Sequence, residues 1–195
     1  MFYAYLKIGF EHIADPNAYD HILFLVALCA IYQLKAWRQV LVLVTAFTLG
    51  HSVTLGLAVY DLIRFKKDLI EFLIPITIII TCIFNVWNPL PTLKASIFSK
   101  SLRGRYFLAC IFGLIHGMGF SNYLRAMLMP GEEGTLGLQL LAFNVGIELG
   151  QLLIVLIILA ISAMVYRVGK ISERTWSLVV STIAGLLAIN LLLQL

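Results

Sequence analysis

Residues 136–166 read LGLQLLAFNVGIELGQLLIVLIILAISAMVY, and Glu148 is the one acidic or basic side chain in them. A helix needs about 20 residues to cross the hydrocarbon of a bilayer, so the stretch is long enough to span. Its apolar residues are continuous rather than alternating, which separates it from a strand of a membrane β-barrel. Reading outward, comparable runs cover residues 16–34, 39–60, 69–87, 106–128 and 175–195. Asp15-Pro16 has the form of a helix start, with Asp as cap and Pro in the first turn. Asn88-Pro89-Leu90-Pro91 and Met129-Pro130-Gly131 have the form of helix stops. Residues 1–14 are aromatic-rich and mixed in polarity, as in a helix lying in the membrane interface. The sequence therefore predicts an all-α integral membrane protein. It is a single membrane domain over residues 1–195, a bundle of about six transmembrane helices with a short N-terminal interfacial helix.

Composition supports this class. Of 195 residues, 61% are hydrophobic and only 12% charged, against about 25% charged in soluble domains. The mean hydropathy is +0.97. The formal net charge is +4, but the basic residues sit at the ends of apolar runs. They read as topology signals, not as a nucleic-acid surface. The loops after the first, third and fifth runs hold Lys35, Arg38, Lys94, Lys100, Arg103, Arg105, Arg167, Lys170 and Arg174. The opposite side holds Lys7, Arg64, Lys66, Lys67 and Arg125. That imbalance places both termini outside the cytoplasm in a bacterial inner membrane. Cys29, Cys82 and Cys110 stand alone in apolar runs, so no disulfide or thiolate cluster is expected. No cleaved signal peptide is expected either.

An ionisable residue within a membrane span is a functional-site hypothesis by default. Here these are Asp20 and His21 in the first run, His51 in the second, His116 in the fourth and Glu148 in the fifth, with His12 just ahead of the first. At about 1.5 Å per helical residue, all fall at overlapping depths, from mid-membrane toward the extracytoplasmic side. Imidazole and carboxylate are common ligands for Zn, Ni, Co and Fe. An apolar interior favours the neutral imidazole, whose lone pair can bind metal. His12, Asp20, His21, His51, His116 and Glu148 are therefore the candidate metal ligands, with Ser52, Asn144 and Gln151 as their supporting partners. A proton or substrate pathway without metal is the competing reading of the same residues. Asn85 is expected to cap the end of its run. Gly113 and Gly117 around His116, and Gly146 and Gly150 around Glu148, have the small-xxx-small spacing of closely packed helices.

The pieces Gly9-Phe-Glu-His12, Tyr19-Asp-His-Ile-Leu-Phe24, Thr45-Ala-Phe-Thr-Leu-Gly-His-Ser52, Gly113-Leu-Ile-His-Gly-Met-Gly-Phe120 and Leu141-Ala-Phe-Asn-Val-Gly-Ile-Glu-Leu-Gly-Gln151 together resemble the HupE/UreJ family of bacterial membrane proteins. The wide spacing from His12 to the Asp20-His21 pair resembles the family's divergent second branch. The resemblance implies that His12, Asp20, His21, His51 and His116 handle a divalent metal, as in nickel permeases. Three functions fit the sequence. One is a permease for a nickel- or cobalt-type ion. The second is a zinc-dependent intramembrane hydrolase acting on a lipid or acyl-protein, with Asp20 or Glu148 as base. The third is a bundle with a structural or sensory metal. The expected partners are the bilayer and the metal ion, with homo-oligomers compatible and nucleic acid not.

Overall fold

The computed structural model describes residues 2–16, 19–64, 66–88, 90, 96–127 and 133–195. These form α1 (Phe2–Ala14), α2 (Asp20–Cys29), α3 (Trp37–Val59), α4 (Lys67–Trp87), α5 (Lys100–Met127), α6 (Leu136–Gly169) and α7 (Glu173–Leu193). Short 3-10 turns sit at Leu34–Ala36 and Glu133–Thr135, and the described residues contain no strand. Pro89, Pro91, Lys94 and the stop at 129–131 lie outside the described residues. Four of the described helices, the one that includes Leu34–Val59 and those at Lys67–Trp87, Leu136–Gly169 and Glu173–Leu193, are long and apolar enough to cross a membrane. The chain is an all-α membrane protein.

The N-terminal part departs from its sequence reading. The Asp15-Pro16 step does not start a helix, and α2 begins only at Asp20. With 10 residues it is about 15 Å long, half of what a span requires. Nor does α1 lie across the end of the bundle. It runs alongside α6, where a Cβ on Gly9 would stand 2.0 Å from the Phe143 carbonyl oxygen, and one on Gly146 2.0 Å from that of Leu6. Gly150 meets Phe10 and Ile13. Residue numbers rise together on the two helices, so α1 and α6 are parallel.

A second pair is built the same way. Cβ atoms on Gly50 and Gly113 would each lie 2.0 Å from the carbonyl oxygens of Cys110 and Phe47, and one on Gly117 2.3 Å from that of His51. α3 and α5 are therefore parallel as well, backbone against backbone, as small residues permit. The direction of α3 and α5 opposes that of α6, since Leu34 and Lys35 just ahead of α3 share a cavity with Met164 and Arg167, Thr48 bonds Gln151, and His51 at the far part of α3 stands next to Asn144. α4 and α7 are antiparallel, with Asn85 bonded to Ser181 and Gly185 against Cys82.

Asn85 is not a cap. Its Nδ2 donates to the Ala27 carbonyl at 2.7 Å and to Ser181 Oγ at 3.2 Å, tying α4 to α2 and α7. The carbonyls at the end of α4 are taken up by Arg174, which donates from Nη1 to Asn85 and Asn88 and from Nη2 to Val86. A cation at a helix C-terminus is favoured by the partial negative charge there. One apolar cluster includes Phe24, Leu43, Phe47, Ile78, Phe112 and Val155. Another gathers Tyr5, Ile13, Leu55, Leu124, Phe143 and Ile147. The four histidines lie on α1, α2, α3 and α5 where these clusters meet.

Gly113→Ala should lower stability by about 1–3 kcal/mol, because the new methyl has only rigid backbone to displace. Gly56→Ala, which meets nothing within 4 Å, should be neutral or stabilising by up to about 1 kcal/mol. Thermal unfolding of the two variants in detergent checks the contrast.

Candidate metal centre

Each histidine is placed by a local feature of its helix. His21 sits in the first turn of α2, where amides lack helical partners. The Asp20 Oδ1 accepts the His21 amide at 2.9 Å and lies 3.1 Å from the His21 Nδ1. A carboxylate on Nδ1 fixes the ring orientation and leaves Nε2 with the lone pair. His51 follows Gly50, whose missing side chain lets α5 close on α3, and the ring is fully buried. His12 ends α1 one turn after Gly9, with its ring 3.9 Å from that of Phe120. His116 lies between Gly113 and Gly117 on α5 and is 1% exposed.

Three of these rings converge. His12, His21 and His51, from three separate helices, each offer a ligand atom, and these atoms all lie within 4.8 Å of one another. Imidazole nitrogens bound at 2.0–2.1 Å to a tetrahedral ion sit about 3.3 Å apart, so side-chain adjustments of an ångström or so close the group onto one ion. Nε2 of His12 and Nε2 of His21 have no hydrogen-bond partner among the described residues, and the His51 ring has none but the neighbouring Asn144. Buried polar atoms are rarely left unpaired, since each costs about 1–3 kcal/mol. A cluster of them facing one point fits a cation better than it fits packing.

The remaining predicted residues take different places. His116 joins the edge of the group, its ring centre 5.1 Å from that of His21. Its Nε2 is 3.1 Å from Thr77 Oγ on α4, and its Nδ1 is unpaired. Asp20 reaches the group through His21. Glu148, expected among the ligands, accepts instead from Thr45 Oγ at 2.7 Å on the α3–α6 contact. Gln151 likewise accepts from Thr48 Oγ at 2.7 Å. Ser52 donates to the Thr48 carbonyl of its own helix at 2.6 Å, so it orients no ring. Asn144 donates to the Leu140 carbonyl and stands next to His51.

Residues without a chemical signature in the sequence complete the surroundings. Phe24 and Phe47 stand with ring centres 5.1 and 5.2 Å from that of His116, and Phe112 packs edge-on against Phe24. All three are buried and form a floor beneath the histidines. Phe120 stacks on Phe143 at 4.9 Å above. Beside the rings a cavity of about 180 Å³ is lined by His12, Asp20, His21, His116 and Phe120, and by Lys67, Ile70, Glu71 and Ile74 of α4. His12, His21 and His51 would hold a cation there, and Asp20 would offset part of its charge through His21.

If His12, His21 and His51 hold the ion, His51→Ala should reduce bound Co(II) or Ni(II) to background. Asp20→Asn should weaken affinity about 10- to 100-fold by releasing the His21 ring. Glu148→Gln should bind as the wild type does. Elemental analysis of the purified, metal-loaded protein after gel filtration measures all three.

No curated protein and no solved structure matches this chain. A family model described as HupE / UreJ protein matches residues 1–194. With a match over almost the entire length, the chain belongs to the HupE/UreJ family.

Proposed function

We propose that this protein is a permease for a divalent transition metal of the nickel or cobalt type, with His12, His21 and His51 as its intramembrane binding site. The observation that carries the reading is the convergence of unpaired imidazole nitrogens from α1, α2 and α3 beside a cavity. Membership of the HupE/UreJ family, which is associated with nickel and cobalt transport, points the same way.

The helix directions support six crossings. α1, ending at Ala14, and α2, beginning at Asp20, count as one broken span, followed by α3, α4, α5, α6 and α7. Alternating passes then make α1 parallel to α6 and α3 parallel to α5, as their glycine contacts require. With the basic loops inside, the chain sits in the bacterial inner membrane with both termini outside, and the cavity opens outward. Transporter sites commonly lie where a discontinuous helix is interrupted near the bilayer midplane. His12 ends one half of the break and Asp20-His21 begins the other.

A release step follows from the packing. His12 belongs to the glycine-locked pair α1·α6, and His51 and His116 belong to α3·α5. Rocking one pair against the other would separate the ligands and part the floor of Phe24, Phe47 and Phe112. The ligands bind only when deprotonated, so protons arriving from the opposite side would compete with the ion.

One observation favours a second reading. The cavity beside His12, Asp20, His21 and His116 is roomy enough for water, as suits a zinc-dependent hydrolase whose metal keeps an open position for water. Proteoliposomes with an internal metal-sensitive dye distinguish the two. The permease reading expects uptake of Ni(II) or Co(II) above that of empty vesicles, lost in His51→Ala. Absence of uptake under an imposed metal gradient, from protein that retains bound metal, would refute transport and leave hydrolysis.

A further inference from the structure

We propose that Glu71 and Lys67, at the N-terminal end of α4, form the port by which a divalent cation reaches the histidines. Glu71 is the receiving carboxylate, and Lys67 is a tethered cation that the incoming metal displaces. The proposal rests on the metal-binding reading of His12, His21 and His51. It is independent of whether the bound ion is transported or used for hydrolysis.

The two side chains form an i,i+4 ion pair, Lys67 Nζ to Glu71 Oε1 at 3.0 Å, with 77% and 43% of each exposed. Both line the cavity that reaches His12, Asp20, His21 and His116. The unpaired Nε2 of His21 and Nδ1 of His116 belong to residues in that lining and are buried, so the port leads to groups that lack a partner. Glu71 and Asp20 also share a second cavity, of about 210 Å³, lined by Tyr19, Ile74 and Pro75. The two carboxylates therefore stand on a common wall between two openings. Along α4, Glu71 is six positions before Thr77, the partner of His116. That is about 9 Å of helix rise, a short step for an ion passed from one carboxylate to the imidazoles.

The charges facing this passage are Asp20 and Glu71 against Lys67. Lys66 and Asp68 are exposed at the same helix end and line neither cavity. An exposed lysine–glutamate pair is weak and screened by salt. A divalent ion interacts with a carboxylate about twice as strongly as an ammonium does at equal distance, so it can take the place of Lys67. Pro75 adds to the port, because it has no amide hydrogen to give to the Glu71 carbonyl. A second oxygen of the same residue is thereby freed from the helix ladder.

The test is stopped-flow loading of Co(II) into the detergent-purified full chain, read by the visible absorption of nitrogen-ligated cobalt. Glu71→Gln should slow loading about threefold or more at low ionic strength, by the loss of one attracting charge, and leave the final spectrum unchanged. Lys67→Gln should speed it, and both differences should shrink at high salt. Loading of both variants at the wild-type rate would overturn the proposal. So would an altered final spectrum in Glu71→Gln, which would make Glu71 a ligand and not a port. Absence of any cobalt spectrum from the wild type would remove the histidine site and the port with it, a result distinct from a site that fills at unchanged rates.

Discussion

Backbone-to-backbone contact at glycine is the constraint on which this bundle depends. In α1·α6 and α3·α5 the helices approach until a methyl group would overlap a carbonyl oxygen of the neighbour. Lipid tails are as apolar as leucine, so apolar burial alone does little to drive helices together in a membrane, and close van der Waals contact takes over. Close approach has a chemical consequence here. Gly50, Gly113 and Gly117 flank His51 and His116, so the contact that joins α3 to α5 also fixes where two rings stand. Gly9 does the same for His12. The site is a by-product of packing that could not be made with larger residues.

The surroundings of the rings are consistent with a bound cation. Phe24 and Phe47 pack against His116, with Phe112 on Phe24, and Phe120 packs against His12 and stacks on Phe143. The nearest carboxylate is engaged with His21. Such a pocket suits imidazole donors that share one ion. The hydroxyls of Thr45, Thr48 and Thr77 satisfy Glu148, Gln151 and His116, each by reaching to a different helix. These polar contacts fix the rotation of α3, α4, α5 and α6 relative to one another.

Much of the site was legible because polar residues stand out against apolar spans. His12, His21, His51 and His116 could be named from sequence, and the structure brings them into one neighbourhood. Depth was legible too, since helical rise is regular. Rotation was not. Glu148 and Gln151 share a helix side with Asn144, yet they meet threonines of α3 some way from the rings. The phenylalanine floor was invisible because Phe24, Phe47 and Phe112 read like any core residue. The N-terminal helices were misread for a physical reason. Asp15-Pro16 has the composition of a helix start, and α1 is too mixed in polarity to announce its contact with α6. Its match to α6 resides in Gly9 and in the surface of a helix more than a hundred residues away.

That separation bears on how the protein is made. Thirteen residues with Lys7 and Glu11 on an exposed ion-paired face are too short and too polar to enter a bilayer by their own hydropathy. Their packing surface, Phe143 to Gly150, leaves the ribosome only after most of the chain has been synthesised. The partner of α1 is thus made after α3, α4 and α5. Docking of α1 is a late event, and the histidine cluster becomes complete only then. Until α6 is made, α1 has no surface to pack on, so the grouping of His12 with His21 and His51 depends on a segment that lies far from all three in the sequence.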